Sequence, residues 1–324
     1  MLIFILIVVN LLSLFLCYVC MKYNSDFILL YDAKDCNPNG NPLSGDNKPR
    51  RDSSTGLAEV SSGRVKRYIR DQLFDEGYPI FVLTEDQYES DSVMTPDERA
   101  ERFLEDREVE DESEAFKEFV NELVDIRFFG SAFALEELDM HSITGPVQIQ
   151  PGRSLHKTKL NKELSNITGS LSTGDGSGGS MGTDYRLHYA LFSVCGTINS
   201  SVGKNINFQE SDAELLDTIT WKSLIHQTHS NSKSGQKPRL YLRVKYDTEF
   251  YQIRNLDEYI ELESEKSEQD IRSLSDCTLH IDTLVSKLES NKDKIDRVRF
   301  IEDELVDIEF EGESIPLENA LKKA

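Results

Sequence analysis

Apolar and polar positions change rhythm several times along the chain, and each change marks an element. From Asp26 to Ala33 (DFILLYDA) apolar residues run almost without alternation, which predicts a strand covered on both faces and central in a sheet. Asn37-Pro38-Asn39-Gly40-Asn41-Pro42 then packs turn formers into consecutive positions, the mark of a sharply constrained loop. Gly63 to Phe74 (GRVKRYIRDQLF) has helical periodicity. On a helical wheel Val65, Tyr68, Ile69 and Leu73 share an arc of about 140°, and Arg64, Lys66, Arg67 and Arg70 take the opposite arc. This predicts an amphipathic helix with a cationic outer face.

Ile80–Leu83 reads as a short strand and Pro96–Val124 as largely helical. Val124–Phe133 (VDIRFFGSAF) and Ser142–Ile149 (SITGPVQI) read as further strands or strand edges. Leu171–Gly182 (LSTGDGSGGSMG) has five glycines in twelve residues and reads as a mobile loop. Arg239–Tyr246 (RLYLRVKY) alternates: Leu240, Leu242, Val244 and Tyr246 share one face, and Arg239, Tyr241, Arg243 and Lys245 the other. Strand and helix signals are interspersed with no internal repeat, so the expected fold class is α+β, a sheet core carrying elaborations.

Composition narrows the class. An apolar share of 38 % in 324 residues supports a real core and argues against wholesale disorder, and five cysteines exclude a disulfide scaffold. Cys17-x-x-Cys20 has no second pair to complete a zinc site; Cys36, Cys195 and Cys277 read as reduced, buried thiols. Residues 1–20 carry no charge and are long enough to span a bilayer, yet they lack a basic leader region and a small-residue cleavage site. Strand-like sequence begins by Phe27, leaving almost no linker. We therefore read residues 1–20 as a mis-assigned start with Met21 the initiator, a membrane segment being the other reading. Residues 21–324 are expected to form one domain.

The net charge of −22 is unevenly spread. Residues 34–70 carry a net +4 and residues 151–245 a net +5, against −13 for residues 85–125 and −12 for residues 246–324. A global excess of this sign repels polyanions at long range. Local basic grooves still bind them, because screening limits the repulsion to about 8–10 Å at physiological salt.

Three basic groups are candidates for such a groove: Lys48, Arg50 and Arg51 after the Asn/Pro/Gly loop, the cationic helix face, and the strand face bearing Arg239, Tyr241 and Arg243. Cations interleaved with an aromatic hold phosphates and stack bases together. The plainer reading of the strand is an ordinary solvated face. The pattern of ordinary RNA-recognition motifs is absent. Asp32, Asp35, Asp46 and Asp52 crowd one loop, where carboxylates could hold Mg²⁺, although turn-capping aspartates are the better reading. His226-x-x-His229 has ligand-like spacing without a third ligand. No P-loop, G-x-S-x-G or G-x-G-x-x-G arrangement supports nucleotide hydrolysis or acyl transfer.

Five collinear motifs then carry a specific likeness: NPNGNPLSGDNKPRRD (37–52), GRVKRYIRD (63–71), VDIRFFG (124–130), ITGPVQIQPGRS (143–154) and QKPRLYLRVKY (236–246). From about Tyr23 to Tyr246 the chain resembles the repeat-associated (RAMP-superfamily) backbone subunit of the type I-B CRISPR surveillance complex, Cascade. The resemblance implies a modified RRM-like, ferredoxin-like palm with helical finger insertions and a thumb-like extension. The acidic helical insertion would span about 85–125, the thumb about 151–190 and an acidic C-terminal part about 247–324. It implies a cytoplasmic subunit without catalysis or cofactor. Copies would stack along the CRISPR RNA (crRNA), which pairs with target DNA, and other Cascade subunits would join; no membrane partner is expected.

Carried over by position, Asn37 and Asn39 would sit against the guide backbone. Lys48, Arg50, Arg51, Lys66, Arg67 and Arg70 would line the phosphate track, with Arg153 and His156 opening the thumb. Two departures stand out. Asn41 replaces an acid common in relatives, which weakens a metal role, and Glu59–Gly63 (EVSSG) is less typical ahead of the helix. The rival readings are a Mg²⁺-dependent ribonuclease of the related type III kind, using Asp32, Asp35 or Asp46, and a membrane-anchored acidic binding protein.

Overall fold

The computed structural model describes residues 21–40, 47–84, 87, 94–135, 140–167, 180–227 and 233–323. The hydrophobic leader, Asn41–Asp46, most of the glycine-rich stretch and His229 lie outside the described residues.

In chain order the elements are β1 (Ser25–Cys36), β2 (Leu57–Val60), α1 (Ser62–Asp75), α2 (Pro96–Glu105), α3 (Glu112–Glu122), α4 (Val124–Phe129), β3 (Gly130–Leu135), β4 (Met140–Thr144) and β5 (Val147–Ile149). There follow β6 (Gly152–Lys157), β7 (Leu160–Ile167), β8 (Ser180–Ile198), α5 (Ser200–Asn205), α6 (Glu210–Ile225) and β9 (Gln236–Tyr246). The C-terminal part holds β10 (Glu261–Glu263), β11 (Thr278–His280), α7 (Asp282–Glu289), β12 (Ile295–Glu302), β13 (Ile308–Phe310), β14 (Glu313–Ser314) and α8 (Leu317–Lys323).

The α+β class holds. Among the described residues the main sheet has eight strands, ordered β12-β9-β1-β8-β6-β2, with β5 and β7 also pairing along β8. Its pairings are antiparallel, including Ile28 opposite Cys195 on β8 and opposite Leu242 on β9. β1 is central, and both of its faces are covered. Phe27, Leu29 and Tyr31 pack with Val65, Tyr68 and Ile69 of α1 and with Leu216 and Ile219 of α6. Ile28 and Leu30 pack on the other side with Leu279, Leu284, Val285 and Ile308 of the C-terminal part. The apolar run in β1 therefore reflects a three-layer arrangement: helices, sheet, and a C-terminal layer built around the smaller sheet β10-β11-β13-β14. Each fully buried Leu, Ile or Phe contributes about 1.5–3 kcal/mol.

Helix α1 matches the sequence expectation. Ser61 caps it by accepting from the Arg64 amide at 3.2 Å, and Val65, Tyr68, Ile69 and Leu73 are buried. Two strand expectations are corrected. Ile80–Leu83 forms no strand, because the Phe81 and Val82 amides donate to the Asp125 carboxylate at 2.6 and 3.1 Å rather than to a neighbouring strand. Val124–Phe133 begins as helix α4, whose Arg127 guanidinium also donates to the Val120 and Asn121 carbonyls at the end of α3. Gly130, at φ +72°, ends α4 and opens β3, which pairs with β4. The expected helices in Pro96–Val124 are present as α2 and α3, and Cys36, Cys195 and Cys277 are buried free thiols.

Candidate nucleic-acid interface

The loop after β1 is held by its own asparagines. Asn37 Nδ2 donates to the Asn47 carbonyl at 2.8 Å. Asn39 bridges to the next strand: Nδ2 donates to the Glu59 carbonyl at 2.7 Å, and Oδ1 accepts from the Ser61 amide at 3.1 Å. The Tyr68 hydroxyl donates to the Pro38 carbonyl at 2.7 Å, and Arg64 donates to the Gly40 carbonyl at 3.2 Å. These bonds lock the loop onto the N-terminal turn of α1. Asn37 is buried, so its part is to shape the loop.

Between loop and helix lies a cleft of about 460 Å³ lined by Asn39, Asn47, Lys48, Arg50, Ser61, Gly63, Arg64 and Arg67. Lys48 and Arg50 are exposed, and Lys48 Nζ stands 5.0 Å from the ring centre of Tyr185 on β8. Arg67 donates to the Val82 carbonyl at 2.8 Å and pairs with Asp71 at 2.7 Å. Lys233 adds to the same field: burial first, and then the positive charges of Arg64 and Arg67, pull its ammonium below the ordinary lysine value. A helix N-terminus ringed by cations favours an anion, since the helix dipole and side-chain charges act in the same direction. Asn47, Ser61, Gly63, Arg64 and Lys233 are additions to the sequence candidates. Arg64 belonged to the cationic arc, and Ser61 three residues before it was a readable cap signal.

A family model described as CRISPR-associated protein Cas7 matches residues 23–282. A curated relative, the CRISPR-associated protein Cas7 of Haloferax volcanii, is 35 % identical over 310 residues, covering 90 % of each chain. This chain belongs to the Cas7 family. Two solved chains are also similar. One, from a CRISPR RNA-guided surveillance complex, has TM-score 0.48 and 14 % identity over 87 % of this chain and 89 % of that chain. The other, from a pre-nicking form of such a complex, has TM-score 0.41 and 14 % identity over 70 % and 80 %.

In this Cas7-family chain the remaining sequence candidates separate into four groups. Lys66 and Arg70 occupy a second stripe of α1, both lying 5.1 Å from the Phe129 ring centre. Burial, then the Arg70 charge, lowers the Lys66 ammonium. Arg70 is spent on Asp125 at 2.8 Å. Arg51 donates to the Thr158 carbonyl at 2.9 Å, and exposed Arg153 stands 3.6 Å from Glu59.

The strand platform is corrected. Arg239, Tyr241 and Arg243 are buried: α6 covers Tyr241 and Arg243, and a bulge in the β1–β9 pairing at Leu30/Tyr31 breaks the alternation beside Arg239. Arg239 donates to Asp32 at 2.9 Å and to Asp303 at 3.0 Å. Tyr241 and Arg243 both donate to Asp217 of α6 at 2.7 Å. Lys245 is tied to Glu210 and Asp296, each at 3.0 Å.

His156 is corrected likewise. It is buried, with Nδ1 2.9 Å from the Lys157 carbonyl, Nε2 accepting from the Leu191 amide at 3.3 Å, and its ring stacked on Tyr189. The cations thus form one cleft rather than a continuous gutter across the sheet.

Among the described residues the candidate aspartates Asp32 and Asp52 are engaged separately, and Asp46 lies outside the described residues. Asp32 is buried against Arg239, and Asp52 accepts from the Ser54 amide and hydroxyl, which holds its carboxyl down at about 2. Among the described residues no group of three acidic, His or Cys side chains could hold a metal ion. His226 is hydrogen-bonded to Gln72 at 2.7 Å. No helix of the described residues is long and apolar enough to cross a membrane.

Proposed function

We propose that the protein is the guide-RNA-binding backbone subunit of a type I-B Cascade complex, acting in the cytoplasm in antiviral defence. Several copies line the crRNA spacer, and the guide pairs with target DNA beside the other Cascade subunits. The sheet around β1, β9 and the C-terminal half of β8, with α1 and α6, serves as a modified RRM-like palm, the acidic helices as fingers, and residues of about 151–190 as the thumb. The subunit binds and holds; it does not cut.

The observation that carries this reading is the convergence of Lys48, Arg50, Arg64 and Arg67 on one cleft at the capped start of α1, in a chain of the Cas7 family. Asn37 and Asn39 fix the loop that forms one wall. A subunit serving arbitrary spacers takes phosphate and ribose rather than base edges, and a cationic cleft at a helix N-terminus suits that task.

Filter binding with RNAs of unrelated spacer sequence tests it. Arg50→Glu and Arg64→Glu should weaken binding equally across sequences. The log–log salt slope should fall by about 0.7 for each phosphate of the single strand that is no longer neutralised. Losses that depend on spacer sequence, or unchanged binding, would refute it. Labelled target RNA incubated with Mg²⁺ separates the nuclease alternative: periodic cuts abolished by Asp35→Ala would replace the proposal.

A further inference from the structure

Phe250 is 97 % exposed, the most open of the large apolar side chains among the described residues. The loop that carries it, Asp247–Tyr251 after β9, is pinned at its base. The Asp247 amide donates to the Lys294 carbonyl at 2.9 Å, Asn24 donates to the Glu249 carbonyl at 3.4 Å, and Tyr251 packs edge-on against Tyr246 with ring centres 5.6 Å apart. An ordered loop that holds a phenylalanine in water, with exposed Asp247 and Glu249 beside it, is a preformed knob with an acidic collar.

A groove of matching chemistry exists on the same chain. Between the end of α1 and α2 lies a depression of about 840 Å³, floored by Phe74, Tyr78 and Phe103 and rimmed by Arg99, Arg102 and Arg107; Asp106 also lines it. Residues 85–125 carry only four basic side chains against seventeen acidic ones, and three of the four line this depression. Phe74 is itself 39 % exposed. The rings are not platforms for bases: Phe103 is stacked on Phe119 with centres 5.0 Å apart, and the Arg107 guanidinium stands 3.8 Å from its centre. With Phe119 on one side of that ring and the Arg107 guanidinium 3.8 Å from its centre, stacking of a base is disfavoured. An apolar side chain flanked by carboxylates fits.

We propose that Phe250 of one copy seats in this groove of the next, with Asp247 and Glu249 facing Arg102 and Arg107. Knob and groove are different patches, so the contact is heterologous and propagates head to tail. The inference rests on the reading that several copies share one RNA, and it names the contact that joins them.

The full chain on a single-stranded RNA long enough for several copies provides the test. Phe250→Ala should weaken neighbour-dependent binding on the order of 30-fold, as loss of an interface anchor does, and leave thermal stability unchanged because the residue is exposed. Glu249→Arg should weaken it too, and adding Arg102→Glu should restore part of the loss. Mixing Phe250→Cys chains with Phe74→Cys chains should give a mixed disulfide under mild oxidation that neither chain gives alone.

Several copies assembling on RNA with no dependence on Phe250 would overturn this contact and leave the guide-binding reading intact. Failure of the wild-type chain to place more than one copy on any RNA would overturn both. Cross-links from position 74 to RNA, to residues 85–93 of the same chain or to an added Cascade subunit would assign the groove to another occupant and end the proposal.

Discussion

Arg243 of β9 grips Asp217 of α6 with two prongs: Nε donates to Oδ1 at 2.7 Å and Nη2 to Oδ2 at 2.9 Å, with the two side chains 1 % and 4 % exposed. Burial pushes the Asp217 carboxyl up, and Arg243, Tyr241 and Arg299 pull it back. The pair locks α6 onto the strand that sequence alternation offered as an RNA platform.

Breaking the pair leaves a buried charge without its partner. Arg243→Ala or Asp217→Ala should cost about 3–5 kcal/mol in urea unfolding, whereas Arg243→Met with Asp217→Leu should cost less than either. If Arg243→Ala kept full stability and lost RNA affinity instead, the buried assignment would be wrong.

Arg70 and Arg50 lie on the same predicted phosphate track, and the fold gives them opposite roles. Arg70 Nε donates at 2.8 Å to Asp125, which is fully buried and also holds the Phe81 and Val82 amides. Arg70→Ala should therefore destabilise the chain by about 3 kcal/mol. Exposed Arg50 should tolerate alanine within about 0.5 kcal/mol and lose RNA affinity. Paired melting and filter-binding measurements on both variants decide it.

These contrasts show what the sequence could convey. The run Phe27-Ile28-Leu29-Leu30-Tyr31 announced a strand covered on both faces, because burial on two sides removes alternation. Helix α1 was legible through its period. For Arg239-Leu-Tyr-Leu-Arg243, alternation distinguished two faces and could not say that Asp217 of α6 would meet Tyr241 and Arg243, or that a bulge at Leu30/Tyr31 would leave Arg239 to Asp32 and Asp303. Those partners are 24 to 207 residues away in sequence, so no local pattern contains them. Helix α4 was missed for a similar reason: VDIRFF carries β-favouring residues, and tertiary bonds from Arg127 to the end of α3 override the propensity.

Two motif glycines have a structural origin. An added Cβ at Gly130, φ +72°, would lie 2.1 Å from the Ile143 carbonyl oxygen, and one at Gly145 would lie 2.4 Å from the Gly130 nitrogen and the Phe128 carbonyl oxygen. Gly77 has the same sign of φ, +82°, in open space. Gly77→Ala should cost about 1–2 kcal/mol for the left-handed backbone alone. Gly130→Ala should cost more, adding about 1–3 kcal/mol of overpacking against rigid backbone. Equal denaturation midpoints for the two variants would contradict the close approach of α4 and β3 to β4.

Acid should loosen the fold through His156. Its Nδ1 faces two carbonyls, of Lys157 at 2.9 Å and Glu268 at 3.0 Å, while Nε2 accepts from the Leu191 amide at 3.3 Å. That arrangement holds the neutral ring with its proton on Nδ1, and a second proton would confront an N–H. Burial accordingly lowers the His156 value below that of a free imidazole. The unfolded chain takes up the proton first, near pH 6.5, so stability present above that pH is lost as pH falls towards the folded value. The buried carboxyls Asp26, Asp32 and Asp217 are raised by burial and act in the opposite sense, binding protons more readily in the folded chain. The difference between wild type and His156→Gln therefore isolates the imidazole. Wild-type melting temperature should fall more steeply from pH 7.5 to 5.5 than that of His156→Gln at constant salt, and RNA affinity at pH 7.5 should be the same for both folded proteins. Parallel melting curves would mean that the imidazole is already accessible to protons in the folded chain.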